Sequence, residues 1–145
     1  MTLGEIRSKI ENYCAYQDRC IREVMTKLRT LQVEQNEAQQ IVEQLKNDGF
    51  IDEERYVQSF IRGKSSLKQW GRQKIRLTLL QKGIDASLID KHLGSINEQQ
   101  YADNLHTAVR KWIQSHGEIT QENTPKLYRH LLSKGYTYEE IKENL

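Results

Sequence analysis

Proline and cysteine are scarce in this sequence, and their scarcity limits the folds it can adopt. The single proline, Pro125, leaves long stretches in which no residue blocks a helix, and most of the eight glycines fall between stretches of helical periodicity. The two cysteines, Cys14 and Cys20, are predicted to lie in one helical region on different faces. We therefore expect no intramolecular disulfide. Both thiols are expected to be reduced, as in a cytosol.

Long apolar runs are also absent, and so is the pattern of a signal peptide. The first residues, 1–13, are already charged and amphipathic. The hydrophobic fraction of 37% is enough for cores between helices but not for a thick multilayer sheet protein, and the charged fraction of 29% suits helices with hydrated outer faces. We therefore expect a cytoplasmic protein with no membrane partner.

Acidic residues are missing from the middle of the chain. Residues 1–54 carry seven Lys/Arg and eleven Asp/Glu, and residues 85–145 carry seven and nine, but residues 55–84 carry eight basic residues and no acid. This asymmetry indicates an anionic partner, either nucleic acid or an acidic protein surface.

Almost every periodic segment of the chain has the spacing of an amphipathic helix, with apolar residues at i, i+3, i+4 and i+7. Capping boxes are predicted at Thr2 with Glu5 and at Thr137 with Glu140. Further helix starts are expected at Asp52, Asp85, Asn97 and Thr124, and left-handed helix ends at Gly49, Gly83 and Gly135. Together these signals predict about nine helices and no strand.

An internal repeat organises these helices. Residues 74–84 align without gaps to residues 126–136, and each stretch ends in Lys-Gly followed by an apolar residue. The first third of the chain is a weaker copy. We predict an all-α protein, residues 1–145, in which three tandem three-helix repeats, approximately 1–48, 49–94 and 95–145, form an elongated, curved molecule.

Two motifs within this repeat resemble the RecX family. Residues 49–64, which begin Gly-Phe-Ile-Asp-Glu-Glu-Arg-Tyr, resemble that family's segment of Gly, hydrophobic, x, Asp, x, x, Arg and aromatic. Residues 70–84 resemble its Gly-x-x-Lys-Ile-x-x-x-Leu-x-x-Lys-Gly-Ile segment. The resemblance covers roughly residues 13–145 and is sharpest over 41–93. The chain departs from the family pattern at Thr78, where members often carry an acid.

The resemblance implies a regulator of the RecA recombinase, built from three tandem three-helix bundles. Members of the family bind RecA in the groove of its filament on single-stranded DNA, and restrain filament growth, ATP hydrolysis and strand exchange. This would limit recombination and the SOS response to DNA damage. The resemblance therefore predicts RecA as the partner, with direct DNA contact left open. We expect a monomer with no enzymatic activity, no cofactor and no metal.

The basic middle of the chain supplies the candidate binding residues. Lys68, Arg72 and Arg76 recur every fourth residue and could share one helical stripe, and Trp70 could stack on a base or anchor a protein contact. The structural alternative is a hydrated helix face with a buried tryptophan. The predicted site for RecA or DNA consists of Arg62, Lys64, Lys68, Trp70, Arg72, Lys74, Arg76 and Lys82.

Two other functional classes remain open from the residues alone. A helix-turn-helix DNA-binding regulator is permitted by the two helices around Gly83. A protein–protein scaffold without a nucleic-acid partner is permitted by the repeat. Asp52 and Arg55 lie in the sharpest motif, but we interpret them as a helix cap and a salt bridge to a neighbouring acid.

Overall fold

The helical periodicity of the sequence is realised along the whole chain. A computed structural model describes residues 1–145 and contains nine α-helices and one π-helical turn, with no strand. The all-α prediction is therefore confirmed. The helices are α1 (Leu3–Tyr16), α2 (Ile21–Thr30), α3 (Gln35–Asn47), α4 (Glu53–Arg62), α5 (Arg72–Gln81), α6 (Ala86–Leu93), α7 (Glu98–His116), α8 (Thr124–Ser133) and α9 (Tyr138–Glu143), with the π-helical turn at Gly63–Leu67.

Helix boundaries follow the predicted caps with two exceptions. The side chains of Asp85 and Asn97 accept backbone N–H groups of α6 and α7, and the Thr137–Glu140 capping box is formed. At α8 the prediction is wrong by one position, because Thr124 is the first helical residue and Asn123 precedes it. The backbone N–H of Thr120 donates to the Asn123 side chain at 2.7 Å, and this bond defines the turn there.

The second exception concerns the cysteines. The prediction of one helical region is wrong, because α1 ends at Tyr16 and Cys20 is the N-cap residue of α2. The Glu23 carboxylate accepts the Cys20 N–H at 3.1 Å, which starts a new helix at this point. Both thiols are free and buried, and burial raises the pKa of each above its ordinary value.

The chain forms two compact units. The first consists of residues 1–59 with 82–84, and the second of residues 60–81 with 85–145. In the first unit, α1, α2 and α3 enclose a core whose fully buried members include Ile10, Val24, Leu28 and Leu45. In the second, α7, α8 and α9 enclose a core that contains Leu105, Leu127, Leu131 and Ile141. None of the helices has the length and apolar character needed to cross a membrane.

Candidate functional site

Three of the eight predicted binding residues are ion-paired within the fold. The Arg72 guanidinium lies 2.8 Å from Glu98, and Arg76 lies 2.8 Å from Asp90. Lys82 lies 3.4 Å from Glu23. Because α5 begins only at Arg72, Lys68 is not on that helix, and the predicted stripe of Lys68, Arg72 and Arg76 does not form.

Arg72 is held by more than its ion pair. Its guanidinium carbon lies 3.9 Å from the centroid of the Tyr101 ring, and its backbone N–H donates to the Tyr101 hydroxyl at 3.0 Å. A second carboxylate, that of Glu140, lies 3.8 Å away. Arg72 therefore anchors the start of α5 to α7 and α9.

The segment between α4 and α5 carries most of the remaining candidates in an unusual backbone. It opens with the π-helical turn Gly63–Leu67. Turns of this kind are rare in proteins overall, but those that occur are often at functional sites. Gln69 follows with φ of 52°, in the left-handed region that a residue with a side chain seldom adopts. Buried hydrogen bonds hold this conformation: the Tyr136 hydroxyl donates to the Gln69 carbonyl at 2.9 Å, and Asn104 donates to Ser65 at 3.1 Å.

Trp70 positions two lysines at the end of this segment. The Lys74 ammonium nitrogen lies 4.2 Å from the centroid of the Trp70 ring and that of Lys64 lies 4.9 Å from it. Phe60 also packs against the indole in an edge-to-face arrangement, with the ring centroids 6.3 Å apart. Since cations lie over the partly exposed ring, Trp70 holds positive charge at the surface rather than presenting a bare stacking platform.

Two lysines that sequence reasoning missed complete this arrangement. The Lys111 ammonium donates to the Gln69 side-chain carbonyl at 2.8 Å, which brings α7 to the same segment. Burial lowers the pKa of Lys134 below its ordinary value, and the nearby charges of Lys74, Lys111 and Lys68 lower it further. The five residues Lys64, Lys68, Lys74, Lys111 and Lys134 are called the lysine cluster below.

None of the five lysines in the lysine cluster forms an ion pair. The basic residues that form ion pairs with acids lie outside the cluster, and they include Arg7, Lys46, Arg55, Arg72, Arg76 and Lys82. Mutual repulsion among unpaired ammonium groups in one place is relieved when an anion binds between them, so the cluster is suited to a multiply charged anionic surface. Arg62 is exposed at the end of α4 and remains a candidate without an assigned contact.

One sequence signal could have found Lys134. The repeat alignment of 74–84 with 126–136 places Lys134 opposite Lys82. The two equivalents differ in environment, since Lys82 pairs with Glu23 and Lys134 has only like charges around it. Lys111 has no such signal, because it reaches the site only through the contact of α7 with Gln69.

Asp52 and Arg55, from the best-matched motif, have the structural roles that were predicted for them. The Asp52 carboxylate accepts the Arg55 N–H at 3.1 Å as the N-cap of α4. The Arg55 side chain lies 2.9 Å from Asp18. Neither residue belongs to the lysine cluster.

Comparison with known proteins gives a consistent result. The family model described as RecX, second three-helix domain, matches residues 52–93, which include α4 to α6. The regulatory protein RecX of Clostridium beijerinckii is 35% identical over 121 residues, which are 81% of this chain and 56% of that protein. The regulatory protein RecX of Clostridium botulinum (strain Eklund 17B / Type B) is 32% identical over 125 residues, 84% of this chain and 58% of that protein. The chain thus spans 56% to 58% of the length of these curated relatives.

Solved structures match over nearly the whole chain. The crystal structure of RecX from Lactobacillus salivarius has a TM-score of 0.78 and 26% identity, and the match covers 98% of this chain and 96% of that one. A second crystal structure, of a regulatory protein RecX, has a TM-score of 0.79 and 25% identity, and the match covers 97% of this chain and 71% of that one.

Proposed function

The chain belongs to the RecX family, and from this premise we propose that it binds RecA on single-stranded DNA and restrains the RecA filament. Filament growth, ATP hydrolysis and strand exchange are the steps it would slow in DNA repair and recombination. The family resemblance supports the choice of partner, and the relatives named above are regulatory proteins. The effect would come from occupancy of a binding surface, without a catalytic step or a cofactor.

The organisation that goes with this function is three helical repeats, 1–48, 49–94 and 95–145, in a cytoplasmic monomer. The match of the second three-helix domain to residues 52–93 supports the middle boundary. The separate cores of α1–α3 and α7–α9 support the outer ones.

The lysine cluster is the observation that carries the proposed site. Its five ammonium groups have no carboxylate partner, so they are available to phosphates or to acidic side chains of RecA. Arg72 and Arg76 belong to the fold through Glu98 and Asp90, and their removal would disturb packing rather than binding alone. The site residues are therefore redefined as Lys64, Lys68, Lys74, Lys111 and Lys134, with Trp70 as the residue that positions two of them.

The test is the single-stranded-DNA-dependent ATP hydrolysis of RecA from the same organism, measured with increasing amounts of this protein. The wild-type protein should inhibit hydrolysis at less than one molecule per RecA. A triple variant, Lys68→Ala with Lys74→Ala and Lys111→Ala, should require about tenfold more protein, because it removes contacts to an anionic partner. Raising the salt concentration should weaken the wild-type effect more steeply than that of the variant.

The matched control is Lys9→Ala with Lys126→Ala and Lys142→Ala, which removes the same charge from exposed positions outside the cluster. It should inhibit like the wild type. Equal loss in both triple variants would show an effect of net charge and would reject the site. A wild-type protein that neither inhibits hydrolysis nor co-sediments with the filament would reject RecA as the partner.

A further inference from the structure

The repeat places the same junction in each unit, and the two junctions differ. In the second unit the start of α5 packs directly on the turn after α8. The Gly71 N–H donates to the Lys134 carbonyl at 2.7 Å, and the Gln73 N–H donates to the Gly135 carbonyl at 3.1 Å. A Cβ atom at Gly71 would lie 2.3 Å from the Gly135 carbonyl carbon, so only glycine permits this approach. The junction is closed.

In the first unit the corresponding junction joins the start of α2 to the turn at residues 82–84. The residue before α2 is Cys20, which is buried, so this junction has a side chain where the other has glycine. Side chains bridge the junction instead. Lys82 pairs with Glu23 at 3.4 Å, and the Arg22 guanidinium lies against Gly83, where an added Cβ would be 2.8 Å from it.

An open cleft of about 340 Å³ remains at this junction. A second cleft, of about 160 Å³, lies at the start of α3 and shares Met25 and Arg29 as lining residues. Together the two clefts are called the α2 groove. Its lining residues are Ile21, Arg22, Met25, Thr26, Arg29, Val33, Gln35, Ala38, Glu53, Lys82 and Gly83.

The α2 groove combines apolar and basic side chains. Partly buried hydrophobic residues, Ile21, Met25 and Val33, line it from end to end. The lining also carries three cationic side chains, those of Arg22, Arg29 and Lys82, of which Lys82 is paired with Glu23, and one carboxylate. That carboxylate, Glu53, accepts the Ile21 N–H at 3.2 Å and so caps α2. Arg29 is exposed, lines both clefts and forms no ion pair.

We propose that the α2 groove is a second docking surface, separate from the lysine cluster, for an acidic protein segment that carries an apolar side chain. Arg29 binds a carboxylate of the segment through its paired N–H groups, and Met25 with Ile21 receives the apolar side chain. Methionine adapts to different apolar partners at such surfaces. A phosphodiester backbone has no apolar group to place against Ile21, Met25 and Val33, so nucleic acid is the disfavoured occupant.

The chain has only two methionines, so the methyl signal of a single one, Met25, can report on the groove. With the methionine methyl groups isotopically labelled, Met25 reports on the groove and Met1, which is 66% exposed at the chain start, is the internal reference. The probe is an acidic peptide of glutamate, glycine and leucine. Its addition should shift the Met25 methyl signal saturably and leave the Met1 signal unchanged. A peptide with serine in place of leucine, and one with lysine in place of glutamate, should both bind more weakly.

Variants locate the contact. Arg29→Glu should weaken the affinity reported by Met25 by about tenfold or more, because it replaces a charged hydrogen-bond partner by a repelling one. Thr26→Trp, a substitution at an exposed lining residue, should fill the groove and remove the shift without entering the core. Lys9→Glu, the same charge reversal on the exposed face of α1, should leave the affinity unchanged.

Three results would overturn the inference. The first is a Met25 signal that stays fixed at high peptide concentration while the indole signal of Trp70 shifts, which would assign peptide binding to the lysine cluster. The second is an oligothymidine that shifts Met25 as strongly as the acidic peptide does. The third is equal affinity of the Arg29→Glu and Lys9→Glu variants.

Discussion

Gly71 is the residue at which two backbone segments of the second unit come closest. Gly71→Ala places a methyl group 2.3 Å from the Gly135 carbonyl group, and backbone on both sides prevents an easy adjustment. We expect the free energy of unfolding to fall by about 2 kcal/mol or more, measured by urea denaturation. Gly63→Ala is the control, since nothing lies within 4 Å of the added atom, and it should be neutral or slightly stabilising. Equal stability of the two variants would contradict the close approach.

At this scale, local sequence predicted side-chain roles well and long-range ones poorly. The cap at Asp52 followed from its position three residues before Arg55, whereas the sequence predicted an ion pair for Arg55 but not its partner, Asp18, which is 37 residues away. Lys111 and Lys134 escaped prediction because their neighbours in space, Gln69 and Lys74, are separated from them by long stretches of chain. Basic spacing along residues 68–76 indicated a stripe, but carboxylates from α6, α7 and α9 take up its arginines.

At the scale of elements, α9 depends most on its cap, because it has only six residues. The Thr137 hydroxyl accepts the Glu140 N–H at 3.1 Å, and the Glu140 carboxylate accepts both the Thr137 N–H and the Tyr101 hydroxyl. Thr137→Ala should cost about 1 kcal/mol and speed amide exchange in α9 first, as hydrogen-exchange mass spectrometry would report.

The comparison for this variant is Thr30→Ala. Thr30 is exposed, and its hydroxyl donates only to the Thr26 carbonyl within α2. Its loss should change stability by less than about 0.5 kcal/mol. If the Thr137 and Thr30 variants exchange alike in α9, the capping box does not stabilise that helix.

Helices with strong periodicity were predictable, whereas the π-helical turn was not. Residues 63–67 carry glycine, lysine and serines with no apolar pattern, so no local signal distinguishes a π-turn from a loop. The conformation is set by partners far along the chain, including Asn104 with Ser65 and Tyr136 with Gln69. The candidate site lies where such long-range bonds determine the backbone, and sequence therefore located its basic charge but not its geometry.

At the scale of the whole molecule, buried tyrosines set the alkaline limit of stability. Burial is the main cause that raises the pKa of Tyr56, Tyr101 and Tyr136 above their ordinary value of 10. Their folded-state pKa values exceed the unfolded ones, so their contribution is intact below about pH 10 and is lost as the pH rises further. We expect these three hydroxyls to ionise only as the protein unfolds.

The measurement is a parallel titration of tyrosinate absorbance and helical circular dichroism. The last part of the absorbance change should coincide with the loss of helix, and in concentrated urea the absorbance should follow one smooth curve. Ionisation of all seven tyrosines before any helix is lost would contradict the expected burial.

The positions of the rare residue types have a practical consequence. Both cysteines are buried in the first unit, and both tryptophans, Trp70 and Trp112, belong to the second. Because the buried thiols react only when their surroundings open, thiol labelling times the opening of the first unit, while indole emission follows the second. The protein therefore contains separate natural reporters, and a single denaturation experiment can determine whether its two units melt together or in sequence.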